Sequence, residues 1–257
     1  MKDMSNDKAD RSSQERTLED LLQSVLMDLY FEKTPDLLEK GEIKKEIEDF
    51  ISDVKQALKR ELLPLEAGVK LAENQVVLCD DLSENDLNAI VATDDIDDLV
   101  NDREVFQKQI KDVIGKLGES RFMIPYRPLY LQTLGAYESD AYDLAVLGFF
   151  AIIDGVLSDI TKAPKSVAIV KRVEKIIDAE NFRVNPSEEA INESIKKLAL
   201  LKVSELLAEY IPFNKCEPNA LNRHWAMHGR SRTRKTKTDC DKLILFLHVL
   251  LNITESC

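Results

Sequence analysis

All three histidines of this 257-residue chain lie in its last 34 residues. Two of them stand one helical turn apart in the string Asn219-Ala220-Leu221-Asn222-Arg223-His224-Trp225-Ala226-Met227-His228-Gly229, and five cations follow at once: Arg230, Arg232, Arg234, Lys235 and Lys237. Imidazole titrates near neutrality and can take or give a proton at physiological pH, whereas guanidinium stays charged and offers a fork of donors that matches phosphate oxygens. Side by side, the two supply what metal-free cleavage of RNA needs. One moves a proton at the attacking 2′-hydroxyl or the leaving oxygen, and the other stabilises the pentacovalent phosphate. That chemistry requires no metal and no cofactor.

The local elements follow from the same residues. Asn219 is a good N-cap and Gly229 a good residue to follow a helix end, so the string reads as a short helix and a turn. Thr238 with Asp241 reads as a capping box ahead of a final apolar helix, Leu243 to Ile253. On an ideal helix Arg223 and His228 lie about 140° apart, so they would flank a groove rather than share a face. The mouth of a helix N-terminus beside guanidinium groups favours an anion. The substrate-binding candidates are Asn222, Arg230, Arg232, Arg234 and Lys235. Ser231 and Thr233 alternate with the arginines, a pattern that suits phosphate gripping without sequence readout.

Other readings of the same side chains exist. His224 and His228 could be a capping or surface pair, or metal ligands joined by Cys216 or Cys240, although no glutamate follows His224 as in HExxH. Trp225 and Met227 read as core or interface residues, and His248, between Leu247 and Val249, as structural. Asp154 is the one charge in an otherwise apolar run, so it needs a nearby cation or amide as partner, or else belongs to the site.

The remainder of the chain must position these groups. With 8 Gly and 8 Pro, 44% hydrophobic and 32% charged residues, the composition favours long helices, and the expected class is all-α, a helical bundle. The net charge is −12, yet residues 219–242 hold seven cations against two carboxylates, a local balance of +5 that leaves −17 elsewhere. The surface as a whole should repel nucleic acid, while this strip is a local anion site. Cys79, Cys216, Cys240 and Cys257 are widely spaced and read as reduced thiols of a cytoplasmic protein. Leu144 to Leu157, broken by Asp154, is too short for a membrane span, which needs about 20 apolar residues.

Residues 1–16 read as a flexible tail, and residues 17–120 as an acidic helical region that could bind a regulatory protein. In it, Leu18 to Leu29, started by Thr17 and Asp20, and Ile43 to Leu62, stopping near Pro64, keep helical spacing. Ser83 with Asp86 caps a further helix, and the acidic run Asp94, Asp95, Asp97 and Asp98 opens the stripe Leu99 to Leu117. The stretch Gly115 to Gly135 is the expected boundary to a C-terminal domain, residues 121–257. There Ala141 to Ile160 is apolar nearly all round and should be enclosed by helices over about 166–179 and 187–210.

Arg223, four residues, then His228, with polar His224 directly after the arginine, resembles the Arg-x4-6-His signature of the HEPN superfamily. Leu221-Asn222-Arg223-His224 and Met227-His228-Gly229, with the apolar helix around Asp154 upstream, look like a bacterial branch of it. The resemblance covers roughly residues 137–257. It implies a small helical bundle acting as a metal-independent endoribonuclease in a prokaryotic defence or toxin system. It would make His228 the proton-transfer residue, Arg223 the phosphate stabiliser and His224 the group that orients them, with the cleft formed where two copies meet in a homodimer. The alternative is a non-catalytic helical dimerisation or interaction module with a basic nucleic-acid-binding loop.

Overall fold

The computed structural model describes residue 52 and residues 62–77, 82–164, 167–179 and 188–255. The expected tail and nearly all of the two helical stripes between Thr17 and Leu62 lie outside them. The chain divides into two compact units at Leu62/Leu63. The second unit, Leu63–Cys257, is all-α, with no strand among its described residues.

Residues 63–73 (α1) are helical through Pro64, where the sequence pointed to a stop. Proline removes only its own donor and crowds only the turn before it, so a helix can run on beyond it. Then come α2 (Glu84–Ala92), α3 (Ile96–Asp102) and α4 (Glu104–Leu117). A 3₁₀ turn (Arg121–Tyr126) leads to α5 (Arg127–Glu138) and α6 (Tyr142–Thr161). The rest are α7 (Ile169–Ala179), α8 (Glu188–Ala208), the five-residue α9 (Arg223–Met227) and α10 (Lys237–Glu255). Ser83 and Asp86 form the expected reciprocal capping box of α2. Asp95 caps α3 by accepting from the Asp98 N–H at 3.0 Å, and Asp97 pairs with Lys242 at 2.7 Å, so the acidic run is used in capping and cross-linking. The stripe from Leu99 to Leu117 is not one helix: Arg103 is extended between α3 and α4, and Gln107 Nε2 donates to the Val100 carbonyl that the break leaves open.

Helix α6 is the centre of the bundle and packs on α5, α7, α9 and α10. Phe149, Phe150, Ile152, Ile153, Val156 and Leu157 are buried, as the apolar run requires, while Leu144 and Leu147 near its start stay exposed. Length and composition alone would let Tyr142–Thr161 cross a bilayer; here 61% of its most apolar window is buried inside the protein, as for a core helix. Helix α10 is the second pillar, with Leu243 to Leu247 wholly buried against α4, α6 and α8. The stretch Gly115 to Gly135 folds inside this same unit, where Tyr130 OH donates to the Ile114 carbonyl at 2.7 Å.

Close approach of α5 to α6 depends on Gly148. A Cβ there would overlap Thr133 Oγ1 and lie 2.8 Å from its Cγ2 and 3.0 Å from its Cβ. Thr133 is buried and its atoms sit next to the backbone, so relief requires the helices to part. Gly148→Ala should therefore destabilise the fold by about 1–3 kcal/mol despite the better helix propensity of alanine. Urea unfolding showing unchanged or raised stability would contradict this packing.

A polar knot ties α4, α5 and α10. Asp241, fully buried, accepts from Tyr137 OH at 2.6 Å and from Lys237 Nζ at 2.7 Å, and Lys237 also donates to Gln107 Oε1 at 2.9 Å. Asp241 is thus not the capping partner of Thr238, whose hydroxyl donates to Asn101. The reciprocal cap at the start of α10 is made two residues earlier, by Thr236 and Asp239. The buried carboxylate is needed for the tyrosine and lysine, so the exposed Thr236 takes over the cap.

Candidate functional site

Helix α9 starts three residues later than the sequence suggested, because Leu221 is already committed. Its N–H donates to Gln75 Oε1 at 2.9 Å and its carbonyl accepts from Gln75 Nε2 at 2.7 Å, so both backbone groups are held by a buried side chain. The N-cap is therefore Asn222 and not Asn219. Asn222 Oδ1 accepts from the Trp225 N–H at 3.1 Å, and Nδ2 donates to the Glu209 carbonyl at 2.9 Å. Asn222, expected at the substrate, is buried and has both ends of its amide engaged in holding the helix. Trp225 is buried and its indole N–H donates to the Ile211 carbonyl at 3.0 Å, which pins the 209–213 loop to α9. Gly229, with φ +63°, makes the turn after His228 that only glycine adopts freely, as the sequence predicted.

Arg223 leaves this mount towards the interior. Its Nε donates to Asp154 Oδ2 at 2.9 Å, and its Nη2 to the same oxygen. The other oxygen of Asp154, a side chain only 7% exposed, accepts from Arg172 Nη2 at 2.7 Å. Arg172 is 1% exposed; its Nη1 donates to the Asp154 carbonyl at 2.9 Å and to Ser158 Oγ at 3.0 Å, while its Nε has no partner among the described residues. So Asp154 is the cation partner that burial demanded, and it joins α6, α7 and α9. Two guanidinium groups share one carboxylate, which leaves one positive charge in excess. That charge emerges at Arg223, 29% exposed, whose Nη1 has no partner among the described residues. An anion arriving there completes the cluster.

The two imidazoles stand beside it. His224 and His228 lie with ring centroids 4.7 Å apart, edge to face, and His224 stacks on Phe213 at 4.5 Å with planes 3° apart. Tyr210 approaches His224 at 5.1 Å, and the Arg230 guanidinium sits 5.3 Å from the Phe213 ring centre. His228 is exposed at the C-cap of α9. Burial, then the neighbouring His228 and Arg223, push the His224 ring below the ordinary imidazole range, so its neutral form persists to lower pH than that of a free ring. Cys216 is exposed, and Cys240 is buried with its thiol 3.8 Å from the Tyr142 carbonyl. Among the described residues no three His, Cys, Asp or Glu side chains are grouped as a metal site would need. His248 lies elsewhere, with Nε2 3.0 Å from Asn252 Nδ2, at the edge of a cavity of about 470 Å³ beside Lys116 and Arg121.

The basic strip is a held loop. Glu217 accepts from Ser231 Oγ and from the backbone N–H groups of Arg232 (2.8 Å) and Thr233 (3.2 Å), and Asp143 accepts from the Lys235 N–H at 2.9 Å. Lys235 turns back towards Glu217, at 3.9 Å, while Arg230, Arg232 and Arg234 remain exposed. Burial acts to raise the Glu217 carboxyl, but the Ser231 hydroxyl, the two backbone N–H groups and the Lys235 ammonium outweigh it and hold the group below its ordinary range. A lowered carboxyl in the folded state contributes order above the ordinary glutamate value of about 4.3, and that order fades as pH falls through the folded value. Glu217→Gln should accordingly speed amide exchange at Arg232 and Thr233 at neutral pH, and acidification should do the same in the wild type. Equal protection in both proteins would show that the loop is ordered by something else.

Sequence reasoning singled out Arg223, His224, His228 and Asp154 but missed Arg172, Tyr210, Phe213 and Glu217. Arg172 looked like one more polar position of an amphipathic helix. The aromatic residues flanking Ile211 and Pro212, ten residues ahead of α9, were the available signal for the stack. No protein-family model, curated protein or solved structure matches the chain.

Proposed function

We propose that the chain is a metal-independent endoribonuclease of the HEPN kind, with Arg223 and His228 as its reacting groups. The observation that carries the reading is the buried Arg172–Asp154–Arg223 cluster, whose uncompensated positive charge emerges on the helix that also bears His224 and His228. A phosphodiester is the anion whose chemistry uses both halves of that arrangement. His228 takes the proton of the 2′-hydroxyl, and the 2′-oxygen attacks phosphorus. Arg223 Nη1 donates to the phosphoryl oxygens as charge accumulates, and the 5′-oxygen leaves taking a proton from water while His228 returns its own to solvent, giving a 2′,3′-cyclic phosphate and a 5′-hydroxyl. His224, stacked on Phe213, orients His228. Arg230, Arg232 and Arg234 hold the flanking phosphates.

The superfamily resemblance adds the expectations of a homodimer that joins two such sites, a prokaryotic cytoplasm, a defence or toxin setting, and a regulatory partner for the N-terminal region. The second reading, a non-catalytic interaction module with a basic loop, draws on one observation: Arg223 gives two donors to a buried carboxylate, as a structural arginine would. Incubation of the full chain with RNA in excess chelator separates the two. Cleavage that disappears in both Arg223→Ala and His228→Ala selects the enzyme, and RNA binding without cleavage selects the module.

A further inference from the structure

We infer that Tyr210 and the rings behind it form a stacking shelf for an unpaired nucleobase next to the phosphate held by Arg223. The inference rests on the proposed reading of that site as an RNA site. Tyr210 is 72% exposed, and its hydroxyl has no partner among the described residues. Phe213 is exposed as well, so two aromatic side chains in contact with His224 face water. An aromatic ring left in water forgoes the burial that stabilises most tyrosines, and a flat partner recovers it.

The arrangement of the rings says what kind of partner fits. Phe213 and His224 already lie parallel at 4.5 Å, the geometry of stacked planar groups, and Tyr210 stands beside them at 5.1 Å from His224 with its plane turned by 53°, so the open face for a base is that of Tyr210 itself. The Trp225 anchor to the Ile211 carbonyl holds the loop between the two aromatic residues, so the shelf is fixed before any ligand arrives. Every nucleobase has a π-face, which makes such a shelf tolerant of sequence, but a base inside a duplex has both faces covered. The shelf therefore selects unpaired positions, and the phosphates on either side meet Arg230 and Arg232.

Charge argues against a second copy packed directly on the shelf, so a homodimer that joins two such sites would leave the shelf open inside its cleft. An isologous contact through this patch would bring Arg230, Arg232 and Arg234 towards their own equivalents, whereas a polyanion relieves that repulsion.

The test uses the full chain and a short oligoribonucleotide carrying 2-aminopurine, with 2′-O-methyl groups throughout so that no attack on phosphorus can occur. Stacking on the shelf should quench the 2-aminopurine fluorescence. Tyr210→Leu should abolish the quenching and weaken binding on the order of tenfold, Tyr210→Phe should retain both, and affinity for inorganic polyphosphate and for duplex RNA should be unchanged. The shelf is overturned if the wild type shows no quenching, if Tyr210→Leu leaves quenching and affinity intact, or if polyphosphate and duplex binding fall equally. It is also overturned if the substitution changes only self-association. Cleavage of unmodified RNA is measured separately: quenching without cleavage leaves the shelf standing and removes the nuclease, and cleavage with no effect of Tyr210→Leu does the reverse.

Discussion

Asp154→Ala should lower the unfolding free energy by about 3–5 kcal/mol and the melting temperature by about 10 °C. The reason is the company that the carboxylate keeps. Without it Arg172, 1% exposed, retains hydrogen bonds to the residue 154 carbonyl and to Ser158 Oγ, but its charge has no counterion and cannot reach water. Arginine does not escape by losing its proton, so the whole cost falls on stability. Combining Asp154→Ala with Arg172→Met removes charge and countercharge together and should recover most of the loss, because an apolar replacement of similar volume suits that interior. Chemical denaturation of the two single variants and the double variant measures this. A loss below about 1 kcal/mol for Asp154→Ala would mean that the cluster is not organised as described.

Arg223→Ala should have the opposite profile. Its removal leaves Asp154 and Arg172 as a balanced pair, so stability should change by no more than about 1 kcal/mol. Chelator-resistant RNA cleavage should fall by about 10²–10³-fold, the typical cost of losing one donor to a transition-state oxyanion. His228→Ala should lower it by about 10²–10⁴-fold through loss of proton transfer, again with little change in stability since the ring is exposed. Arg223→Lys separates charge from geometry: it keeps the cation but not the fork that serves Asp154 and a phosphate at once, so activity should not be restored. If Arg223→Ala destabilises as strongly as Asp154→Ala and no variant alters RNA turnover, Arg223 is a structural arginine and the interaction module is the better account.

The contrast between these two residues shows how far the sequence could be read. Both were visible as candidates, Asp154 as a charge in an apolar run and Arg223 beside two histidines, but nothing in their spacing joined them across 69 positions. Arg172, the third member, was one more cation on an amphipathic helix. Cap assignments failed in the same manner. Thr238 with Asp241, and Asn219 ahead of α9, had the right residue types, yet Tyr137 and Lys237 claim Asp241, and Gln75 claims Leu221. In each case a side chain more than a helical turn away in sequence, or a buried partner on another helix, took the group that the local rule would have used.

What the residues determined by themselves was the helical class, the start of α2, the acidic cap of α3, the buried run of α6, the glycine turn after His228 and the gathering of two histidines and seven cations between residues 219 and 242. These depend on periodicity, propensity and local hydrogen bonds, all of which act within a few residues along the chain. Tertiary structure alone decided which carboxylate meets which guanidinium, which rings stack on His224, and that Glu217 holds the basic loop. Those are contacts between elements, and their energies depend on burial and on the geometry of a partner that folding brings from elsewhere.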